Sequence, residues 1–220
     1  MFIDCSKFEK VLKADYKSWG VKFGLTKKGM YILHGTGWII EANASYVNKE
    51  FLGTAIKVLG PAPKPGEFIK YQKGSSPQHE MELEPMLWDM AEESDPAYIS
   101  LIKIIQNDNV YSVTKTPKGA RLINDKRLAM IAPCKCTEDE IPPCSPVVHD
   151  DWLLTYNDDM AIGICFTEPD YEPELKVLGL LSKEDFYWQE SEAYRLGWRL
   201  RHSKRCSSTK QKRTKNNEQK

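Results

Sequence analysis

Cys134, Cys136, Cys144 and His149 stand in a C-x-C-x7-C-x4-H arrangement. Thiolate and imidazole are the ligand types of zinc, and four of them would close a structural site. The surrounding residues, 135–146, are rich in Cys, Pro and acids and read as a loop. Such a loop has few apolar residues to hold it together, so a structural zinc ion would staple it. Cys165 lies inside an apolar run and reads as core.

A second group is made of carboxylates and a lysine. The apolar runs 160–166 and 175–181 have strand length. On that reading Asp159 opens one strand, and Glu174-Leu175-Lys176 opens its neighbour. Residues two apart on a strand point to one face. Glu174 and Lys176 would then share a face, with Asp159 beside them. Two acids can hold Mg²⁺, and a lysine can stabilise charge on an attacking water or a phosphate. The pattern resembles the core motif of the PD-(D/E)xK nucleases, an acid followed by Glu-x-Lys on the next strand. The resemblance is confined to residues 159–176 and lacks the proline before the first acid. It implies a metal-dependent nuclease with Asp159, Glu174 and Lys176 as catalytic residues.

A third group is electrostatic. The 220 residues hold 31 basic and 31 acidic side chains. From Arg195 to Lys220 there are ten Lys/Arg and one acid, so that segment carries +9. The remaining 21 basic and 30 acidic residues give −9 for positions 1–194. A split of this size points to partners. Arg199, Arg201, Lys204, Arg205, Lys210, Lys212, Arg213 and Lys215 form the candidate nucleic-acid contact, because clustered cations bind phosphate backbones by releasing counterions. Lys212-Arg213-Thr214-Lys215 also has the composition of a nuclear import signal. The opposite sign concentrates at 80–95, where Glu80, Glu82, Glu84, Asp89, Glu92, Glu93 and Asp95 occur with no Lys or Arg among them. That stretch is a candidate protein-docking surface, for the basic tail or for a nucleic-acid enzyme whose site it would occupy.

The elements that must position these groups follow from periodicity. Ser6 with Glu9 suggests a capping box opening a helix over 6–19. Phe8, Val11, Leu12, Tyr16 and Trp19 form its apolar stripe, and Asp15 is the polar exception. Three strands follow at 21–25, 30–34 and 38–42, joined by turns at 26–29 and 35–37. Gly60, Pro61, Pro63, Pro65 and Gly66 suggest a connection over 61–78. Pro85 could open a short helix. A helix is expected at 98–106, a strand at 152–156, and a last helix at 184–201. Beyond Ser203 the chain has no aromatic and no aliphatic residue and is expected to be disordered. Residues 8–29 and 98–119 align without a gap and share a Lys-Gly turn, which suggests two related helix-hairpin units.

The expected fold is therefore α+β, mostly antiparallel sheet with flanking helices. The units are 1–60, a connection at 61–78, a second unit at 79–201 and a tail at 202–220. The apolar fraction is 41% and the mean hydropathy is −0.52. No apolar run approaches the roughly 20 residues that span a bilayer. No signal peptide is evident, so an intracellular location is expected, cytoplasmic, or nuclear if the host is eukaryotic. Phosphate-loop, dinucleotide, nucleophile-elbow and H-E-x-x-H motifs are absent. The leading expectation is a binding protein that works near nucleic acid. A Mg²⁺-dependent nuclease and an acidic inhibitor are the alternatives, and a duplicated unit would suit an oligomer.

Overall fold

The computed structural model describes residues 1–136, 140–169 and 172–183. The expected helix at 184–201, the tail and its cations lie outside them. The chain begins with α1 (Cys5–Lys17), then a meander of β1 (Val21–Leu25), β2 (Met30–Gly35) and β3 (Trp38–Asn43). Helix α2 (Lys49–Leu59) follows, then β4 (Glu67–Tyr71), β5 (Gln78–His79), α3 (Leu87–Glu92) and β6 (Asp95–Pro96). Next comes a second meander of β7 (Tyr98–Gln106), β8 (Asn109–Thr116) and β9 (Gly119–Asn124). The chain continues through α4 (Asp125–Leu128), β10 (Val147–His149), β11 (Trp152–Tyr156), β12 (Met160–Cys165) and α5 (Glu172–Lys183).

Nine strands form one sheet in the order β5-β4-β1-β2-β3-β12-β11-β10-β6, and β7-β8-β9 form a second. Every strand pairing in both is antiparallel. The fold is α+β, mostly antiparallel with flanking helices. Among the described residues no helix is long and apolar enough to cross a membrane.

The large sheet is covered on both faces, which is why its central strands are buried throughout: β3 is buried from Trp38 to Ala42 and β12 from Met160 to Ile164. One face packs Phe23, Leu33, Trp38, Ile40 and Ile162 against Phe8 and Leu12 of α1 and Phe51 of α2. Phe8 stacks on Phe51 at 5.1 Å and meets Trp38 edge-on at 6.0 Å. The other face packs Ile32, Ile39, Phe68, Leu154 and Ala161 against Leu87 and Ala91 of α3. The small sheet has its own cluster, Val113 and Leu122 under Leu178 of α5. Arg121 ties it to the large sheet: it donates to the Asp150 carbonyl at 2.8 Å, pairs with Asp151 and lies over the Phe166 ring.

Several expected elements take a different form. Residues 98–106 are a strand, because four isoleucines favour a pleated surface over a helix. Residues 175–181 lie in α5, not in a strand. Pro173 suits a first helical turn, Glu172 and Glu174 complement the helix dipole there, and four leucines favour helix. The two aligned segments therefore share a strand and the hairpin turn after it, with Gly29 and Gly119 both at positive φ; one begins as helix and the other as strand. The 61–78 stretch contributes β4 to the large sheet, and that sheet takes strands from both sides of the stretch.

Candidate nucleic-acid interface

The exposed side of the α1–α2 layer carries a group of lysines. In α1, Lys7, Lys10, Lys13 and Lys17 are all exposed, while Cys5, Phe8, Val11, Leu12 and Asp15 are buried. The lysine spacings of three, three and four place them within an arc of about 120° at ~100° per residue. Lys49 and Lys57 are exposed on α2, whose Phe51, Ala55 and Leu59 face the core. The layer thus presents six lysines. The acids on its outer side are Glu9 and Glu50. Glu9 bridges the two helices, accepting from Lys13 at 2.6 Å and lying 2.9 Å from Lys57. Hydrogen bonds from Lys13 and then Lys57 hold its carboxyl down at about 2.

The helices are fixed on the sheet by polar contacts at their ends and middle. Asp4, not Ser6, is the α1 cap. Its carboxylate accepts from the Ser6 and Lys7 amides, each at 3.0 Å, and from the Ser6 hydroxyl at 2.6 Å. The Ser6 hydroxyl is the main reason the Asp4 carboxyl lies below the ordinary range. Asn48 caps α2 by accepting from the Phe51 amide at 2.7 Å. Asp15, the polar exception of the stripe, is buried. It accepts from the Trp38 indole at 2.6 Å and the Thr36 amide at 2.8 Å. It thereby pins α1 to the β2–β3 turn. Gly35 is required in that turn, since a Cβ there would sit 2.2 Å from the Trp38 ring.

The acidic stretch lies with α3 on the opposite face of the large sheet. Three of its glutamates have lysine partners from β1 and the β1–β2 turn: Lys22–Glu80 at 3.1 Å, Lys27–Glu82 at 3.9 Å and Lys28–Glu84 at 3.7 Å. The stretch looks uncompensated in sequence and is partly neutralised in space. Beneath it Glu41 is buried and accepts from the Met86 and Leu87 amides at 2.8 and 3.1 Å, at the start of α3. Burial pushes its carboxyl up to about 6.

The two metal expectations take other shapes. Among the described residues no group of three or more Cys, His, Asp and Glu is placed to hold a metal ion. Cys134 is exposed in a turn, Cys136 packs against the main core, and His149 sits on β10. The Cys144 carbonyl accepts from the Thr155 hydroxyl at 3.2 Å. Burial raises the Cys136 thiol above its ordinary value. Asp159 precedes β12, with its carboxyl raised first by burial and then by Asp158. Glu174 and Lys176 lie on α5, where residues two apart diverge by about 200°. Lys176 pairs with Glu172 at 2.8 Å. The Asp159, Glu174 and Lys176 arrangement on neighbouring strands is therefore not formed.

The α1 lysines lie on the polar side of a helix whose apolar stripe is the stronger signal, and their spacing is visible in the sequence. Lys49 and Lys57 required a helix whose signals were Asn48 and the spacing of Phe51, Ala55 and Leu59.

No family model matches the chain, and no curated protein matches it. Similar solved structures include the DNA polymerase III β chain of Streptococcus pneumoniae TIGR4, at 11% identity and a TM-score of 0.29, covering 79% of this chain and 66% of that one. Another is the DNA polymerase sliding clamp of Bacillus subtilis, at 10% identity and a TM-score of 0.30, covering 77% of this chain and 64% of that one. The likeness is distant, and this chain spans slightly less than two thirds of the length of either protein.

Proposed function

We propose that this protein binds nucleic acid through the lysine-bearing outer side of the α1–α2 layer. The basic residues Arg199, Arg201, Lys204, Arg205, Lys210, Lys212, Arg213 and Lys215 add further phosphate contacts. The observation that carries the reading is the set of six exposed lysines on two adjacent helices, with Glu9 and Glu50 as the opposing acids on their outer side. Exposed lysines on a rigid helical surface attract a phosphate backbone without reading its sequence. The role is binding, with no chemistry assigned to the face.

The test is affinity for DNA across a salt series, with the full chain and a version ending at Trp198. The truncated version retains salt-dependent binding, with a shallower slope than the full chain. A truncated version that binds nothing at low salt would remove the helical face from the reading and leave only the tail.

A further inference from the structure

Trp19 is 73% exposed, the most exposed tryptophan side chain among the described residues. It sits on a rigid mount. The Asp15 carbonyl accepts from the Ser18, Trp19 and Gly20 amides at 3.1, 3.1 and 2.8 Å. Gly20 closes the turn at φ 85°, where a Cβ would come 2.9 Å from the Tyr71 carbonyl oxygen. The strand beside it holds the same turn in place. The Lys73 amide donates to the Tyr16 carbonyl at 2.8 Å, and the Gln72 side chain donates to the Ser18 carbonyl at 2.7 Å.

The surroundings of this indole are cationic. Lys17 precedes it on α1 and Lys73 follows β4, both exposed. The Lys70 side chain runs beside Gly20. Neither 16–40 nor 68–79, the two stretches that meet here, contains an Asp or a Glu. A large aromatic ring held out by a hydrogen-bonded turn, with lysines on the segments that form and brace that turn, has the composition of a base-stacking platform. The face of a base is available for stacking only where the base is unpaired, since a duplex already fills both faces of each pair.

We infer that Trp19, with Lys17, Lys70 and Lys73, is a stacking site for an unpaired base, so that this end of α1 takes single-stranded nucleic acid. The inference rests on the proposed binding of nucleic acid by α1 and α2. The lysines hold the flanking phosphates while the indole covers the base. Trp19 is the element that separates a single strand from a duplex, because both present phosphates and only one presents a free base face.

Fluorescence anisotropy with a labelled single-stranded oligothymidylate and a blunt duplex of equal length tests it, using the full chain, Trp19→Ala and Trp19→Phe. The expected result is a loss of roughly tenfold in single-strand affinity for Trp19→Ala, duplex affinity unchanged, and substantial recovery with Trp19→Phe. The indole emission of the parent chain is quenched on binding the single strand and loses that response in Trp19→Ala. Unchanged single-strand affinity in Trp19→Ala, or an equal loss on both probes, would overturn the stacking site and leave the lysine face standing. Failure of the full chain to bind either probe at low salt would overturn the lysine face as well. Trp19 lies outside the core, and an unchanged melting temperature separates loss of stacking from loss of fold.

Discussion

The two faces of the large sheet treat charge in opposite ways. On the α3 face, Glu80, Glu82 and Glu84 meet Lys22, Lys27 and Lys28 from the neighbouring hairpin. On the α1–α2 face, the outward glutamates are Glu9 and Glu50 beside six lysines, and Glu9 is shared between two of them. In the sequence the acidic run draws attention first, because its charges are consecutive. The lysines of α1 are spread over eleven positions, from Lys7 to Lys17, and gather only when the helix winds. Charge left over after pairing is what a partner meets, and on the lysine side it has the sign that attracts phosphate.

The comparison can be broken most strongly by reversing charge on one face at a time. Lys7→Glu, Lys10→Glu and Lys17→Glu together should weaken DNA binding by about a hundredfold at low salt, since each phosphate contact carries a log–log salt slope of about 0.9. Glu80→Gln, Glu82→Gln and Glu84→Gln should leave affinity nearly unchanged in the same assay. Equal effects from the two faces would end the distinction.

The next largest effect concerns the mount of the basic face. Asp15→Ala leaves the Trp38 indole and the Thr36 amide without their acceptor. It should cost about 3 kcal/mol in urea unfolding, with a shift in tryptophan emission. Asp15→Asn, which keeps one acceptor oxygen, should cost less.

The opposite face has its own signature in pH. The Glu41 carboxyl is raised from 4.5 to about 6 in the folded chain. Its contribution to stability is full below about pH 4.5 and is lost as pH rises through 6. The difference in stability between the native chain and Glu41→Gln should therefore shift by about 2 kcal/mol against the native chain across that window. A pH-independent difference would show that the buried carboxylate is not the cause.

The smallest effect sharpens the comparison from the basic side. Glu9→Gln removes the acid that holds Lys13 and Lys57 and should raise DNA affinity a few-fold at low salt, with little change in stability.

The legible part of the fold was the part in which local pattern and tertiary context agree. The first helix and the three strands after it have clear periods, capped and separated by turns. Residues 98–106 and 175–181 are short apolar runs, and such runs suit a helix or a strand alike. The isoleucines of the first find a partner strand in β8, and the leucines of the second find the surface of the small sheet. Neither partner is visible from within the run. The candidate site was legible in halves. The spacing of Lys7, Lys10, Lys13 and Lys17 is a local signal. The pairing of Lys22 with Glu80 is not local, because 58 positions separate them and only the β1–β4 pairing with β5 beyond it brings them together.

The most direct measurement is lysine footprinting. The full chain would be acetylated with and without DNA, and each lysine followed by mass spectrometry. Protection of Lys7, Lys10, Lys17 and Lys49, with Lys27 and Lys28 reacting as before, is the predicted result. Protection of Lys27 and Lys28 with α1 unchanged would place the contact on the wrong side of the sheet and contradict the account.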